Sequence, residues 1–323
     1  MQTKHDIDVN FFPGWTRKSV TFTIDDGNVK YDKMFLDIVK PAGILGTFNL
    51  CSHIFSSFTP EGYRDFYRGY EIANHCKYHP IVFDDGMPYT VADEPFDPLT
   101  SLDYTPENPV VYKNSVEGTY RIHHHIKRIK PDGWYTVATP GYYIKYIDDC
   151  KAELETVFGE GSVRGFVWPC YKQTNSEVIA HLKSKGYYGI RKTGQLLDST
   201  CFALPEDRMD WTYTAGGVNL LSAMELYENY PDDGNLKFFC FGLHAVDYER
   251  DNKWDDLRLF AEKYGNRPED YYYASNADIF DYEDAVKKIE IIEPEIKNPS
   301  EISLYIKVDG ARVILRPKSV YKF

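Results

Sequence analysis

Two short groups of residues carry side chains that commonly bind metal ions. Asp25 and Asp26 stand together at the end of an apolar run, and His75 and His79 follow another apolar stretch at a spacing of four residues. One carboxylate and two imidazoles make a three-ligand set that leaves coordination positions open for water or substrate. The second carboxylate is then free to act as a base beside the metal. Together these residues indicate a metal-activated hydrolase.

The elements that end next to these residues must position them. The stretch 19–24 alternates and is rich in β-branched residues, which predicts a strand ending at Asp25. The stretch 31–39 has apolar residues at helical spacing, and the same strand–helix rhythm recurs along the chain, which predicts βαβ units and a parallel sheet. Further strands are predicted at 46–50, 69–73, 165–168, 187–191, 236–243 and 271–276, and further helices at 60–70, 142–158, 175–185, 222–230, 253–264 and 282–291.

These units are numerous enough to close a barrel. In (β/α) barrels the active site lies at the carboxyl ends of the strands. Because the candidate residues all fall at such ends, the pattern indicates that they form one site. The residues concerned are Asp25, Asp26, His75, His79, His244 and the segment 169–171.

Two segments depart from this rhythm. From about 83 to 140, Pro, Asp and Gly are frequent and helical periodicity is absent, which predicts an irregular insertion with some β structure of its own. After Pro294, two alternating runs are joined through Asp309 and Gly310, which predicts a hairpin. We therefore expect a barrel over residues 1–293 and a small β appendage over residues 294–323.

Composition narrows the choice of partners. The formal net charge is −12, so we expect the chain to bind neither nucleic acid nor anionic membrane. The first ten residues lack the apolar core of a secretory signal, which predicts a cytoplasmic protein, with a secreted mature form as the alternative. The six cysteines include no CxxC pair and are expected to be reduced, mostly buried thiols. The sequence indicates no oligomeric state.

The same residues resemble the motifs of the polysaccharide deacetylase family, the NodB-homology type of carbohydrate esterase (family 4-like). The family's T-F-D-D-G string is similar to residues 23–27, and its H-[ST]-x-x-H string is similar to residues 75–79. Its R-P-P-Y or F-A-Y-P-Y-G string resembles residues 166–171, and its strand ending in His resembles residues 239–244. The likeness runs from about Pro13 to about Ile291, without the insertion.

The resemblance implies a distorted (β/α) barrel that holds one divalent metal ion through Asp26, His75 and His79. Zinc is expected first. Cobalt or nickel would also fit, because a mixed carboxylate–imidazole site accepts all three metals and availability decides among them.

The resemblance also implies the roles of the remaining site residues. Asp25 would be the general base, His244 the general acid, and the backbone N–H of Tyr171 an oxyanion donor, with Pro169 in the same substrate-binding string. The implied reaction removes acetyl groups from an N- or O-acetylated carbohydrate, and the enzyme is a hydrolase of carbon–nitrogen bonds other than peptide bonds.

The chain departs from the family pattern at two positions. Cys76 replaces a Ser or Thr, so the metal site is expected to be looser, or the thiol to approach the metal. Trp168 stands where many members have an Arg that holds the base, so another cation, Arg191 or Arg208, would set the pKa of the base. Trp168 and Trp211 are each either core residues or sugar-stacking rings.

Two other functions stay open at the level of sequence. The substrate could be a non-sugar linear or cyclic amide, as in the allantoinase-like relatives of the family. Alternatively, the chain could be a degenerate barrel that binds carbohydrate without turnover. The intact Asp25, Asp26, His75 and His79 argue against the binding barrel, whereas Cys76 and Trp168 argue for it.

Overall fold

The computed structural model describes residues 5–92, 110–123, 134–170, 175–195, 202–217 and 219–323. The helices are α1 (Val29–Val39), α2 (Pro60–Phe66), α3 (Pro140–Phe158), α4 (Ser176–Ser184), α5 (Leu220–Glu228), α6 (Ala245–Arg250), α7 (Trp254–Tyr264) and α8 (Asn276–Lys287). The strands are β1 (Ile7–Phe11), β2 (Lys18–Asp26), β3 (Gly46–Leu50), β4 (Glu71–Asn74), β5 (Thr90–Ala92), β6 (Val110–Lys113), β7 (Thr119–His123), β8 (Trp134–Ala138), β9 (Gly165–Val167), β10 (Gly189–Gln195), β11 (Trp211–Tyr213), β12 (Ala215–Gly216), β13 (Lys237–His244), β14 (Tyr272–Tyr273), β15 (Glu290–Ile292), β16 (Glu295–Lys297), β17 (Leu304–Val308), β18 (Ala311–Leu315) and β19 (Val320–Lys322).

The central sheet is a nearly closed parallel barrel. Its strands follow one another in the order β11, β10, β9, β4, β3, β2, β13 and β12, and β14 pairs with β2. Only Thr214 separates β11, which pairs with β10, from β12, which pairs with β13, so the strand path returns to its starting point. The structure therefore confirms the predicted distorted (β/α) barrel.

Alternation along β2 explains how one strand serves both the core and the site. Successive side chains of a strand point to opposite faces. Val20, Phe22 and Ile24 enter the main hydrophobic cluster under the helices. Thr23 and Asp25 face the barrel interior, where both accept hydrogen bonds from a side chain of β3.

Aromatic packing fixes the helices on the outside of the barrel. The ring of Phe22 makes edge contacts with Phe35 of α1 at 5.2 Å and with Phe260 of α7 at 5.5 Å, measured between ring centroids. All three rings are fully buried, and each contributes roughly 1.5–3 kcal/mol through burial. This packing holds β2, and with it the site residues at its end.

A second hydrophobic cluster closes the amino-terminal end of the barrel. Phe280 of α8 packs against Trp211 at 5.4 Å and against Phe238 at 5.6 Å, again between ring centroids. Because these residues begin β11 and lie near the start of β13, the amino-terminal end is filled by side chains. The carboxyl-terminal end is therefore the end available for a site.

The segment expected as an insertion contributes a separate sheet. Its described strands pair in the order β5, β6, β7 and β8. A bridge between Ile81 and Val137 joins this sheet to the segment that follows the histidine pair. The sheet consequently lies beside the carboxyl-terminal end of the barrel.

The C-terminal strands do not stand alone. β17 pairs with the N-terminal β1 as well as with β18, and β16 pairs with β15 and β19. The division of the chain at residue 293 stays a prediction.

The helix expected over 282–291 is wrong in its bounds, because Ser275 caps α8 earlier and the β-branched residues of β15 pair with β16 instead.

Across the residues that the structure describes, no helix has both the length and the apolar character that a membrane crossing requires.

Candidate active site

The two neighbouring aspartates are brought to one end of the barrel by a change of backbone conformation. In a regular strand, Asp25 and Asp26 would point to opposite faces. Asp26 instead has a φ of 77°, in the left-handed region, and so does Gly27. A side chain at Gly27 would also clash, because its Cβ would lie 2.5 Å from Ile54 Cδ1. The tight turn places the Asp26 carboxylate beside the histidine pair, while that of Asp25 stays in the barrel interior.

The histidine pair lies on a strained loop that follows β4. Three residues of this loop have left-handed backbone angles, with φ of 62° at Cys76, 66° at Tyr78 and 52° at His79. Such angles cost on the order of 1–3 kcal/mol each in a non-glycine residue and cluster at functional sites. The curled loop places the Nε2 atoms of His75 and His79 each 3.4 Å from Oδ1 of Asp26.

This arrangement has the geometry of a metal centre. One ligand atom from each of Asp26, His75 and His79 lies within 4.8 Å of the other two. Among the described residues, the buried Oδ1 of Asp26 accepts no hydrogen bond. Burial raises the pKa of Asp26, but the neighbouring histidines, with His244 foremost, outweigh it and hold this pKa well below its ordinary value. An ionised, unpaired oxygen between two imidazoles fits a divalent cation.

The other ring nitrogens of the pair are oriented by neighbouring strand ends. His75 Nδ1 lies 3.0 Å from the carbonyl oxygen of Val167, and because a carbonyl only accepts, this nitrogen donates. His79 Nδ1 lies 3.5 Å from Sγ of Cys170. The tautomer of His75 therefore leaves Nε2 unprotonated and available as a ligand.

Asp25 is held by two donors inside the barrel. Asn49 Nδ2 donates to Oδ1 of Asp25 at 2.7 Å, and Arg191 Nη2 donates to the same oxygen. Burial raises the pKa of Asp25, but the charge of Arg191 and of the nearby histidines outweighs it and lowers the pKa below its ordinary value. An ionised carboxylate beside the candidate metal centre is suited to accept a proton.

The cation that replaces the missing family Arg is therefore Arg191. The alternative, Arg208, pairs with Glu283 at 2.6 Å and with Asp284 at 2.7 Å. Asn49 was missed at the level of sequence because it reads as an ordinary residue of a short strand.

His244 is the last residue of β13 and lies opposite Asp25 in the register of the two strands. Its Nε2 is 3.7 Å from Oδ2 of Asp26, and its Nδ1 is 3.2 Å from Oδ2 of Asp247. Burial lowers the pKa of His244, but the charge of Asp26 and the hydrogen bond to Asp247 outweigh it and raise the pKa to about 9. Asp247 was missed, although an acidic residue three positions after the N-cap of a helix is a recognisable capping signal.

Trp168 and Trp211, considered above as core residues or sugar-stacking rings, both lie in hydrophobic clusters. Trp168 is 1% exposed, and its ring packs against Phe166 at 5.2 Å and Tyr143 at 5.8 Å. Trp211 is 6% exposed and packs in the cluster at the amino-terminal end of the barrel. Rings without an open face have no surface to offer a sugar.

The prediction that the Cys76 thiol approaches the metal is also wrong. The Cys76 side chain is fully buried in the hydrophobic cluster that contains Trp168, and it is not part of the group of candidate ligands. Burial raises the pKa of Cys76 well above its ordinary value, so the thiol stays protonated. Its backbone N–H donates to Oδ1 of Asn74 at 2.8 Å, which steadies the loop without a side-chain hydroxyl.

The remaining predicted residues lie in the third motif. Pro169 is buried two residues beyond the end of β9. Tyr171 lies outside the described residues, so its role as an oxyanion donor stays a prediction.

A cleft of about 260 Å³ opens at the candidate metal centre. Asp26 and His79 line its floor, and aromatic side chains form much of its wall, namely His53, Tyr78 and Tyr135. Tyr78 is 50% exposed. The two tyrosines were not singled out at the level of sequence, because nothing local distinguishes them from the many core tyrosines, and no motif includes His53.

The comparisons with known proteins agree with the motifs. A family model described as polysaccharide deacetylase matches residues 14–190, which is more than half of the chain. No curated protein matches the sequence.

Several solved structures are similar to this chain. One is the Xyl-CE4 domain of a multidomain xylanase from the hindgut metagenome of Trinervitermes trinervoides, at 13% identity, covering 84% of this chain and 93% of that chain with a TM-score of 0.46. Another is a family 4 acetyl xylan esterase from Clostridium thermocellum in complex with a cobalt ion, at 14% identity, 81% and 90% coverage and a TM-score of 0.43. A third is the chitin deacetylase of the fungal pathogen Colletotrichum lindemuthianum, at 14% identity, 84% and 89% coverage and a TM-score of 0.44.

Proposed function

The chain belongs to the polysaccharide deacetylase family, and we propose that it is a metal-dependent hydrolase that removes acetyl groups from an N- or O-acetylated carbohydrate. Membership places it among hydrolases of carbon–nitrogen bonds other than peptide bonds. The observation that carries the proposal is the convergence of ligand atoms from Asp26, His75 and His79 within 4.8 Å, beside the separately anchored Asp25.

Asp26, His75 and His79 would hold the metal ion. Zinc is the first choice, and cobalt and nickel suit the same donors. When bound there, a divalent ion lowers the pKa of a water molecule and polarises the acetyl carbonyl. The buried Oδ1 of Asp26, which accepts no hydrogen bond from a described residue, and the unprotonated Nε2 of His75 support this assignment.

The acid–base steps fall to two residues on adjacent strands. Asp25 accepts the proton of the attacking water, and its lowered pKa keeps it ionised for this step. His244 donates a proton to the departing amine or alcohol, and its raised pKa keeps it protonated at neutral pH. Asp247 holds the His244 ring by its Nδ1 atom, and Nε2 lies 3.7 Å from Oδ2 of Asp26.

Binding of the sugar is assigned to the aromatic cleft. The half-exposed ring of Tyr78, with the exposed ring of His53 beside it, offers apolar faces and polar edges to a polyol. The backbone N–H of Tyr171 remains our candidate for the oxyanion donor.

The first test combines metal analysis with product analysis. We expect the purified protein to carry about one divalent ion per chain and to release acetate from acetylated chitooligosaccharides or acetylated xylan. Ammonia or ureido products without acetate would instead assign a non-sugar amide as the substrate. A protein that binds these sugars without metal and without turnover would be a binding barrel.

Two variants test the assigned roles. Asp25→Asn should keep the metal and lose turnover by roughly 10²–10⁴-fold. His79→Ala should lose the metal, whereas His181→Ala, which removes an ion pair with Asp148 on the outer helices, should keep it. Full activity in Asp25→Asn would remove the base assignment, and stoichiometric metal in His79→Ala would remove the ligand set.

A further inference from the structure

Asn49 donates a hydrogen bond from Nδ2 to Oδ1 of Asp25 at 2.7 Å. We propose that Asn49 is a positioning residue, which holds Asp25 through Oδ1 so that Oδ2 is the oxygen that accepts the proton. This inference rests on the proposed hydrolase function and specifies how the base is oriented.

The position of Asn49 follows from the register of two strands. Asp25 and Asn49 are directly paired on the parallel strands β2 and β3, and both side chains face the barrel interior. The amide nitrogen of Asn49 has two N–H groups. One donates to Oδ1 of Asp25 at 2.7 Å and the other to Oγ1 of Thr23 at 2.8 Å. The amide group is therefore held at two points.

The orientation of the amide is determined by its neighbours. The reverse orientation would place the amide oxygen against the carboxylate oxygen of Asp25, and two acceptors repel each other. Only the arrangement with nitrogen toward Asp25 makes both hydrogen bonds.

Both donors reach the same oxygen of the carboxylate. Arg191 of β10 and Asn49 of β3 donate to Oδ1 from different strands. Within the described part of the chain, Oδ2 of Asp25 accepts no hydrogen bond from a protein group. Because rotation about the last side-chain bond of an aspartate is loosely restricted, a single donor would leave the carboxylate plane free to turn. Two donors from separate directions hold it.

Burying the side-chain amide of Asn49 costs stability, which also points to a role beyond packing. Its side chain is fully buried, and its Oδ1 atom accepts no hydrogen bond from any described residue. A buried polar atom without a partner destabilises a fold, and an apolar side chain of the same shape would avoid this. The gain that offsets this cost is the hydrogen bond to Asp25.

The test replaces Asn49 by the nearly isosteric leucine. Asn49→Leu should lower kcat about 10- to 100-fold, the range expected for loss of one hydrogen bond to a charged group. KM and metal content should stay within about twofold. The matched control is Thr21→Val, which changes a buried residue of the same barrel interior and should leave kcat unchanged.

A double variant separates positioning from a structural role. If Asn49 acts through the carboxylate, Asn49→Leu should change the residual rate of Asp25→Asn by no more than about twofold, measured with an activated aryl acetate. Equal losses in both backgrounds, or a wild-type kcat in Asn49→Leu, would overturn the inference. If Asn49→Leu does not fold, Asn49→Ser, whose hydroxyl is too short to reach Asp25, is measured with the same expectation.

The same data distinguish this inference from the proposed function. A wild-type protein that hydrolyses neither acetylated sugar nor aryl acetate defeats both. Wild-type turnover that is insensitive to Asn49→Leu defeats the inference alone.

Discussion

Arg191 donates a hydrogen bond through Nη2 to Oδ1 of Asp25, and the two side chains are only 1% and 5% exposed. The guanidinium comes from β10, while the backbone N–H of the neighbouring Trp168 donates to the carbonyl oxygen of Arg191 at 3.1 Å. The family's arginine would follow β9, and β9 pairs with β10, the strand that carries Arg191. Asp25 therefore has a cationic partner although a tryptophan occupies the motif position.

Removing Arg191 should affect stability and turnover together. We expect Arg191→Met to cost roughly 3–5 kcal/mol in unfolding free energy at pH 7, because it leaves a buried carboxylate without its cation. Arg191→Lys should recover part of this loss and part of the activity. The stabilisation is present above about pH 4 and is lost as pH falls through the lowered pKa of Asp25. Urea unfolding at several pH values and turnover at pH 7 measure both effects.

The control for this experiment is Arg208→Met. It breaks an ion pair with Glu283 on α8, away from the base, and should leave turnover close to that of the wild type. Equal losses of turnover in the Arg191 and Arg208 variants would contradict the assignment.

Asp247 should determine the proton affinity of His244. In metal-free protein, where the pKa of His244 is raised to about 9, Asp247→Asn should lower it. The raised pKa stabilises the fold below about pH 6.5, and this contribution is lost as pH rises through about 9. An NMR titration of the His244 ring tests the shift. Asp255→Asn, which changes an exposed ion pair with Arg258, should leave the titration unchanged.

Asp32 should make the protein less stable as pH rises. Its side chain on α1 is fully buried, Tyr67 donates to its Oδ2 at 2.7 Å, and burial raises its pKa to about 7. Between about pH 4 and 7 the folded protein holds a proton that the unfolded chain has lost, so stability falls with pH across this window. At about 1.4 kcal/mol per pH unit over about three units, the effect is at most roughly 4 kcal/mol.

Asp32→Asn should remove this dependence. In urea unfolding, the unfolding free energy of the variant minus that of the wild type should be larger at pH 8 than at pH 4.5. Asp37→Asn, on the exposed face of the same helix, is the control. A constant difference between Asp32→Asn and wild type at both pH values would show that Asp32 is ionised in the fold.

Kinetics can distinguish a core role for Trp168 from a sugar-binding role for Tyr78. Trp168→Ala should cost roughly 3–5 kcal/mol of stability through an unfilled core, with little change in KM for the sugar at a temperature where the variant is folded. Tyr78→Ala should instead raise KM and leave the melting temperature nearly unchanged, since the ring is half exposed. A raised KM in Trp168→Ala but not in Tyr78→Ala would instead assign sugar stacking to Trp168.

The sequence by itself predicted the barrel and identified Asp26, His75 and His79 as the candidate metal ligands. Alternation such as that of β2 and the periodicity of α1 are local properties, so they are readable without tertiary structure. The spacing of His75 and His79 is equally local. The strand ends that carry the motifs are gathered at one edge by the parallel sheet itself.

Only the tertiary structure decided which residues hold Asp25 next to these candidate ligands. Arg191 and Asn49 reach Asp25 across the barrel interior, 166 and 24 residues away along the chain. No local pattern distinguishes Arg191 from Arg208, or Trp168 in a core from a tryptophan in a cleft. These choices depend on strand register, on left-handed turns such as the one at Asp26, and on which side chains the packed helices cover. Such long-range contacts form only when the whole chain has folded.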